Sequence, residues 1–178
     1  MTGPTPGALR ILRRFLDTLY LAGGILAACF LIAILGIIVA QMAARWFSFT
    51  FPGGTDYAGY CMAGASFFAF AYALNHGAHI RVSLVLNALG PRRRWLEIWC
   101  FGIGAITATF FARYAIKGTY WSWKLNDISQ GQDAMPLWIP QLSMAAGTVL
   151  LAICLWDHLI RLIWEGEHGI QTESAPGD

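Results

Sequence analysis

Residues Leu19–Ala43 read LYLAGGILAACFLIAILGIIVAQMA, a run with no charged residue and one side-chain amide, Gln41. At 1.5 Å of rise per residue such a run reaches about 37 Å, more than the roughly 30 Å hydrocarbon core of a bilayer. Main-chain N–H and C=O groups have no water to bond there, so the segment satisfies them internally as a helix. Arg10, Arg13 and Arg14 precede the run, as they would in a secretory signal. A cleavable signal has an apolar core of only ~7–15 residues. The run is therefore read as a retained membrane span, with the arginines as a topology signal.

Three further apolar stretches follow, Tyr57–Leu74, Trp95–Tyr120 and Leu137–Ile163. The chain is 57% hydrophobic and 12% charged, against about 25% charged residues in soluble domains. That leaves an all-α membrane protein with four transmembrane helices and no separate soluble domain. The expected organisation is an N-terminal segment 1–18, a membrane domain 19–163 and a tail 164–178. The alternating pattern of a membrane barrel is absent. A net charge of +2 is too small to suggest nucleic acid.

Lys and Arg near the span ends set the orientation. Arg10, Arg13, Arg14, Arg81, Arg92, Arg93, Arg94 and Arg161 fall on one side; Arg45, Lys117 and Lys124 fall on the other. The positive-inside rule places both termini in the cytoplasm. Tryptophans follow the same frame: Trp46, Trp121, Trp123 and Trp138 lie toward the outer ends, Trp95, Trp99 and Trp164 toward the inner ends, where an amphipathic indole prefers to sit. The approach Leu9–Leu16 mixes apolar residues with Arg10, Arg13 and Arg14. It reads either as a short amphipathic helix on the anionic leaflet or as an extension of the first span.

Few residues offer chemistry. Cys29, Cys61, Cys100 and Cys154 each lie in a different apolar stretch and read as small buried apolar residues, not as ligands or disulfides. Asp17, Asp56, Glu97 and Asp157 fall within about two turns of a segment end, whereas a self-contained ion-coupled carrier places an ionisable group deep in a span. Arg113 is the exception. It shares a helix face with Lys117, and the pair is either solvated beyond the outer membrane face or a basic contact for a partner or acidic lipid. No Gly-Xaa-Ser-Xaa-Gly elbow and no phosphate-cradling glycine loop exists, so an enzyme is not expected. Gly59 with Ala63, then Ala65, Ala69 and Ala73, form a small-residue stripe suited to close helix packing.

The second span ends in Asn75-His76-Gly77-Ala78-His79-Ile80-Arg81-Val82. Two histidines here and His158 in the fourth span make a bis-histidine haem site conceivable, and a haem-binding or quinone-reactive membrane anchor is the alternative function. The helix-exit reading competes with it: Gly77 suits a left-handed cap, and the histidines complement the exposed carbonyls of the last turn. No carboxylate or cysteine completes a zinc set. On the residues alone, no cofactor is expected.

This segment, in a four-span chain with both ends inside, resembles the small integral membrane subunit of tripartite ATP-independent periplasmic (TRAP) transporters, the DctQ-like family. Gly77, His79, Ile80 and Val82 match the family's Gly-Xaa-His-Ile-Xaa-Val-Asp sequence, but Ser83 stands where the Asp is usual. Arg45 matches a frequent arginine, Asp56 stands where Glu is common, and Pro136-Leu137-Trp138 with Gly147 downstream resembles the family's Pro-Xaa-Trp run and glycine. The resemblance implies a non-catalytic scaffold in the bacterial inner membrane. It would support a large DctM-type subunit that imports an organic anion, with sodium, from a periplasmic binding protein. It makes His76, His79, Arg81, Arg45, Asp56, Arg113, Lys117, Lys124, Asp133 and Trp138 the candidate contacts to partners or lipid. His79 and Arg81 would fix the inner end of the second span. The outer charges would steer docking of the binding protein.

Overall fold

A computed structural model describes residues 7–49, 52–76, 93–132 and 134–164. These hold four helices: α1 (Gly7–Trp46), α2 (Gly54–Asn75), α3 (Arg93–Leu125) and α4 (Trp138–Trp164). All four are long and apolar enough to cross a membrane. The helices run up and down, so the bundle has a loop end, where α1 passes to α2 and α3 to α4, and a terminal end, where α1 starts and α4 stops.

Two helices outrun the expected spans. α1 starts at Gly7 instead of Leu19, because the stretch through Leu16 contains good helix formers and no interior Gly or Pro. α3 runs on past Tyr120 to Leu125. On α3, Trp99 and Trp121 are separated by about 33 Å of helix rise, close to the thickness of a hydrocarbon core.

The packing order differs from the chain order. α1 lies on α2, α2 on α4, and α4 on α3, while α1 only grazes α4. α2 and α4 are thus central, and α1 and α3 flank them. Small residues make the closest of these contacts possible. A Cβ on Gly147 would come within 2.6 Å of the Phe67 main chain, and one on Gly24 within 2.7 Å of the Tyr72 ring. Association in lipid relies on such close backbone approach, since burying apolar surface drives little there.

The buried residues of α3 are Ala105, Ala108, Ala112, Ala115, Thr119 and Ser122. This alternating three-four spacing is that of a left-handed helix pair. α4 repeats it with Ala145, Thr148, Ala152, Leu159 and Leu162. Hydroxyls in these seams bond within their own helices: Thr119 Oγ1 donates to the Ala115 carbonyl at 2.9 Å and Thr148 Oγ1 to the Met144 carbonyl at 2.9 Å. These two hydroxyls are thereby satisfied without water.

Two packing expectations need correction. On α2 the buried face is Gly64, Ala65, Phe68, Ala71 and Leu74; of the expected stripe only Ala65 is buried, Ala63, Ala69 and Ala73 are half-buried, and a Cβ on Gly59 would meet only open space. Of the cysteines only Cys154 is buried; Cys29 and Cys100 are exposed and Cys61 is intermediate, all as free thiols. Both corrections have one cause: these helices are apolar all round, so hydrophobicity does not distinguish inside from outside.

Candidate functional site

Among the described residues, polar side chains gather in three places. The first is the loop end. Gly53, in a left-handed conformation (φ 76°), lets the chain turn into α2. Asp56 follows in the first turn, where a carboxylate suits the helix dipole, and its Oδ2 accepts the Gln132 N–H at 3.2 Å. One turn on, the Tyr60 hydroxyl donates to Ser129 Oγ at 2.7 Å, and Ser129 Oγ also accepts the Gly131 N–H. The α3–α4 loop is pinched by an antiparallel bridge between Ile128 and Pro136, with the Ser129 N–H to the Met135 carbonyl at 2.8 Å and the Leu137 N–H to the Asp127 carbonyl at 2.9 Å. A polar cleft of about 400 Å³ remains between this loop, the start of α2 and Gln41 of α1. Asp56 and Tyr60 thus latch one loop onto another helix, which sequence separations of 76 and 69 residues kept out of sight.

The second place is the terminal end. Tyr20 and Cys154 are fully buried with Ala71 and Leu74, and Cys154 Sγ approaches the Ala71 carbonyl at 3.7 Å. Asp157 and Arg161 form a two-pronged ion pair, 2.6 Å at its closest. Their i, i+4 spacing was readable in the sequence. His158 is fully buried, its ring 6.0 Å from that of Phe101. His76 does something different: it stacks on Tyr72 with ring centroids 4.0 Å apart, and its Nδ1 lies 3.0 Å from the Tyr72 carbonyl. It closes the last turn of α2. Among the described residues, no three His, Cys, Asp or Glu side chains gather as a metal site.

The third place is the outward face of α3. Arg113 is exposed and lines a groove of about 700 Å³ between α3 and α4, whose other walls are mainly apolar, with Ala112, Ile116, Ala152, Ile153 and Trp156 among them. Trp156 Nε1 donates to Thr109 Oγ1 at 3.0 Å, tying the two walls together. Asp157 borders the groove too but is already engaged by Arg161. Among the described residues Arg113 has no carboxylate partner. Lys117 lies one turn further along, and Lys124 sits over the Trp121 ring at 5.1 Å. Arg113 is roughly 12 Å of helix rise below Trp121 and level with the middle of α4. A guanidinium at mid-bilayer costs ~2.5–3.5 kcal/mol on insertion scales.

The remaining candidates are dispersed. Arg45 is exposed in the last turn of α1, where a cation complements free carbonyls. Trp138 opens α4 and, with Tyr120, Trp123 and Leu142, lines an apolar cleft of about 310 Å³. His79, Arg81, Ser83 and Asp133 lie outside the described residues. The alanine seam of α3 carries a signal in its three-four spacing, whereas the Tyr60–Ser129 latch has no local one.

Residues 34–164 match the family model described as "Tripartite ATP-independent periplasmic transporters, DctQ component". No curated protein and no solved structure matches the chain.

Proposed function

The chain belongs to the DctQ component family of tripartite ATP-independent periplasmic transporters, and from that premise we propose that it is the small scaffold subunit of such a transporter in a bacterial inner membrane. The match over residues 34–164 carries this reading. In it, a large DctM-type subunit binds and moves an organic anion, driven by sodium. A periplasmic binding protein delivers the anion. The small subunit holds the large one at constant depth and offers its loop end as a landing surface.

Three features support the division of labour. Among the described residues, the acids in or beside the spans lie toward helix ends, and two of them, Asp56 and Asp157, are engaged internally. A coupling carboxylate is better sought in the partner. α1 and α3 present long rows of large apolar side chains outward, Ile25, Ile32, Leu35 and Val39 on the one and Ile103, Ile106 and Phe110 on the other. Exposed tryptophans at both ends, Trp46, Trp95, Trp99 and Trp164, would fix depth.

The test is reconstitution. Tagged chain should retain the large subunit through purification. Liposomes holding both should accumulate the organic anion only with sodium and the binding protein, and liposomes holding this chain alone should not. Uptake by the chain alone would overturn the scaffold reading. A Soret band in the purified chain would replace it with the electron-transfer alternative.

A further inference from the structure

The groove at Arg113 is a strange place for a permanent cation. Its walls are otherwise almost wholly apolar, and its one acid, Asp157, is occupied by Arg161. Three ways of satisfying the guanidinium can be weighed. Snorkelling toward the loop-end interface would carry it along α3 past Lys117, a like charge on the same face. A lipid phosphate sits in the headgroup layer, while Arg113 lies roughly 12 Å below Trp121 and about 21 Å of helix rise from Trp99. A second copy of this chain offers no match either, since its described mid-span stretches supply no free carboxylate.

What remains is a carboxylate brought in at the same depth by another protein. The groove suits a helix. Its floor has small residues, Ala112 and Ala152, and its walls repeat at helical spacing along α4 from Val149 through Ile153 to Ile160, so a neighbouring backbone can approach closely. We propose that the α3–α4 groove seats a transmembrane helix of the large subunit, and that a carboxylate on that helix pairs with Arg113 in mid-bilayer. This rests on the small-subunit reading above.

The pairing makes opposite predictions for the chain alone and for the complex. Arg113→Leu removes an uncompensated charge from the isolated chain, so its thermal midpoint in detergent should stay level or rise. In the complex the same change strands the partner's carboxylate, and affinity for the large subunit should fall roughly a hundredfold. Arg113→Lys should retain most of the binding. A photoreactive benzoylphenylalanine in place of Ile153 should crosslink to the large subunit in membranes holding both proteins. Undiminished recovery of the large subunit with Arg113→Leu, or crosslinks to lipid or to a second copy alone, would overturn the proposal while leaving the scaffold reading intact. Failure of the unaltered chain to retain the large subunit would bring down both.

Discussion

The two faces of α3 are built on different principles. The inward face is a seam of Ala105, Ala108, Ala112, Ala115, Thr119 and Ser122, small residues among which the Thr119 hydroxyl bonds within the helix. The outward face carries Ile103, Ile106, Phe110, Tyr114 and Trp121, all exposed, with Arg113 and Lys117 among them. In water the large residues would be inside. In lipid, bulk has no reason to hide, and inward positions go to residues that let backbones approach. Size, more than hydrophobicity, distinguishes inside from outside.

That contrast can be broken by substitution. The largest effect is expected where a side chain would meet main chain: Gly147→Val should destabilise by about 3 kcal/mol or more, read as loss of the folded peak in size-exclusion chromatography. Ala108→Leu, in the α3 seam, should cost about 2 kcal/mol by overpacking, measured by thermal unfolding in detergent. Tyr60→Phe deletes the bond to Ser129 and should cost about 1 kcal/mol, with faster amide exchange around Gly131 as its local signature. Ile106→Ala, on the outward face, should change the isolated chain by under ~0.5 kcal/mol yet lower recovery of the large subunit if that face is covered by it. Should Ile106→Ala destabilise the chain as much as Ala108→Leu, the contrast between the faces would collapse.

How much of this was readable beforehand follows the same physics. The four spans stood out, because a bilayer demands long apolar runs and all four stretches meet that demand. The helix ends were less visible: no Gly or Pro lies between Ala8 and Thr18 to stop a helix short of Leu19, and α1 begins at Gly7. The faces were hardest. Gly59 and Ala63 promised a stripe by spacing alone, but the buried face of α2 centres on Gly64, Phe68 and Ala71. Asp56 shows the limit at the candidate site. Its place at the start of α2 could be seen, but not its bond to Gln132, because no local pattern encodes a partner so far along the chain. Arg113 was the reverse case, conspicuous in sequence as a charge in the wrong solvent. The structure added the apolar groove that it lines and the missing counter-charge among the described residues.

The packing order α1–α2–α4–α3 has a consequence for biogenesis. Each flanking helix is held mainly by its immediate neighbour among the described helices, so these amount to two hairpins joined mainly along the α2–α4 contact, where Gly147 meets Phe67. Each hairpin can enter the bilayer as it leaves the ribosome, before its counterpart exists. Docking of the two is then a separate, later event between objects already inserted. A chain severed between Asn75 and Arg93 should reassemble from its halves in the same membrane, and Gly147→Val should abolish that reassembly while leaving both halves inserted.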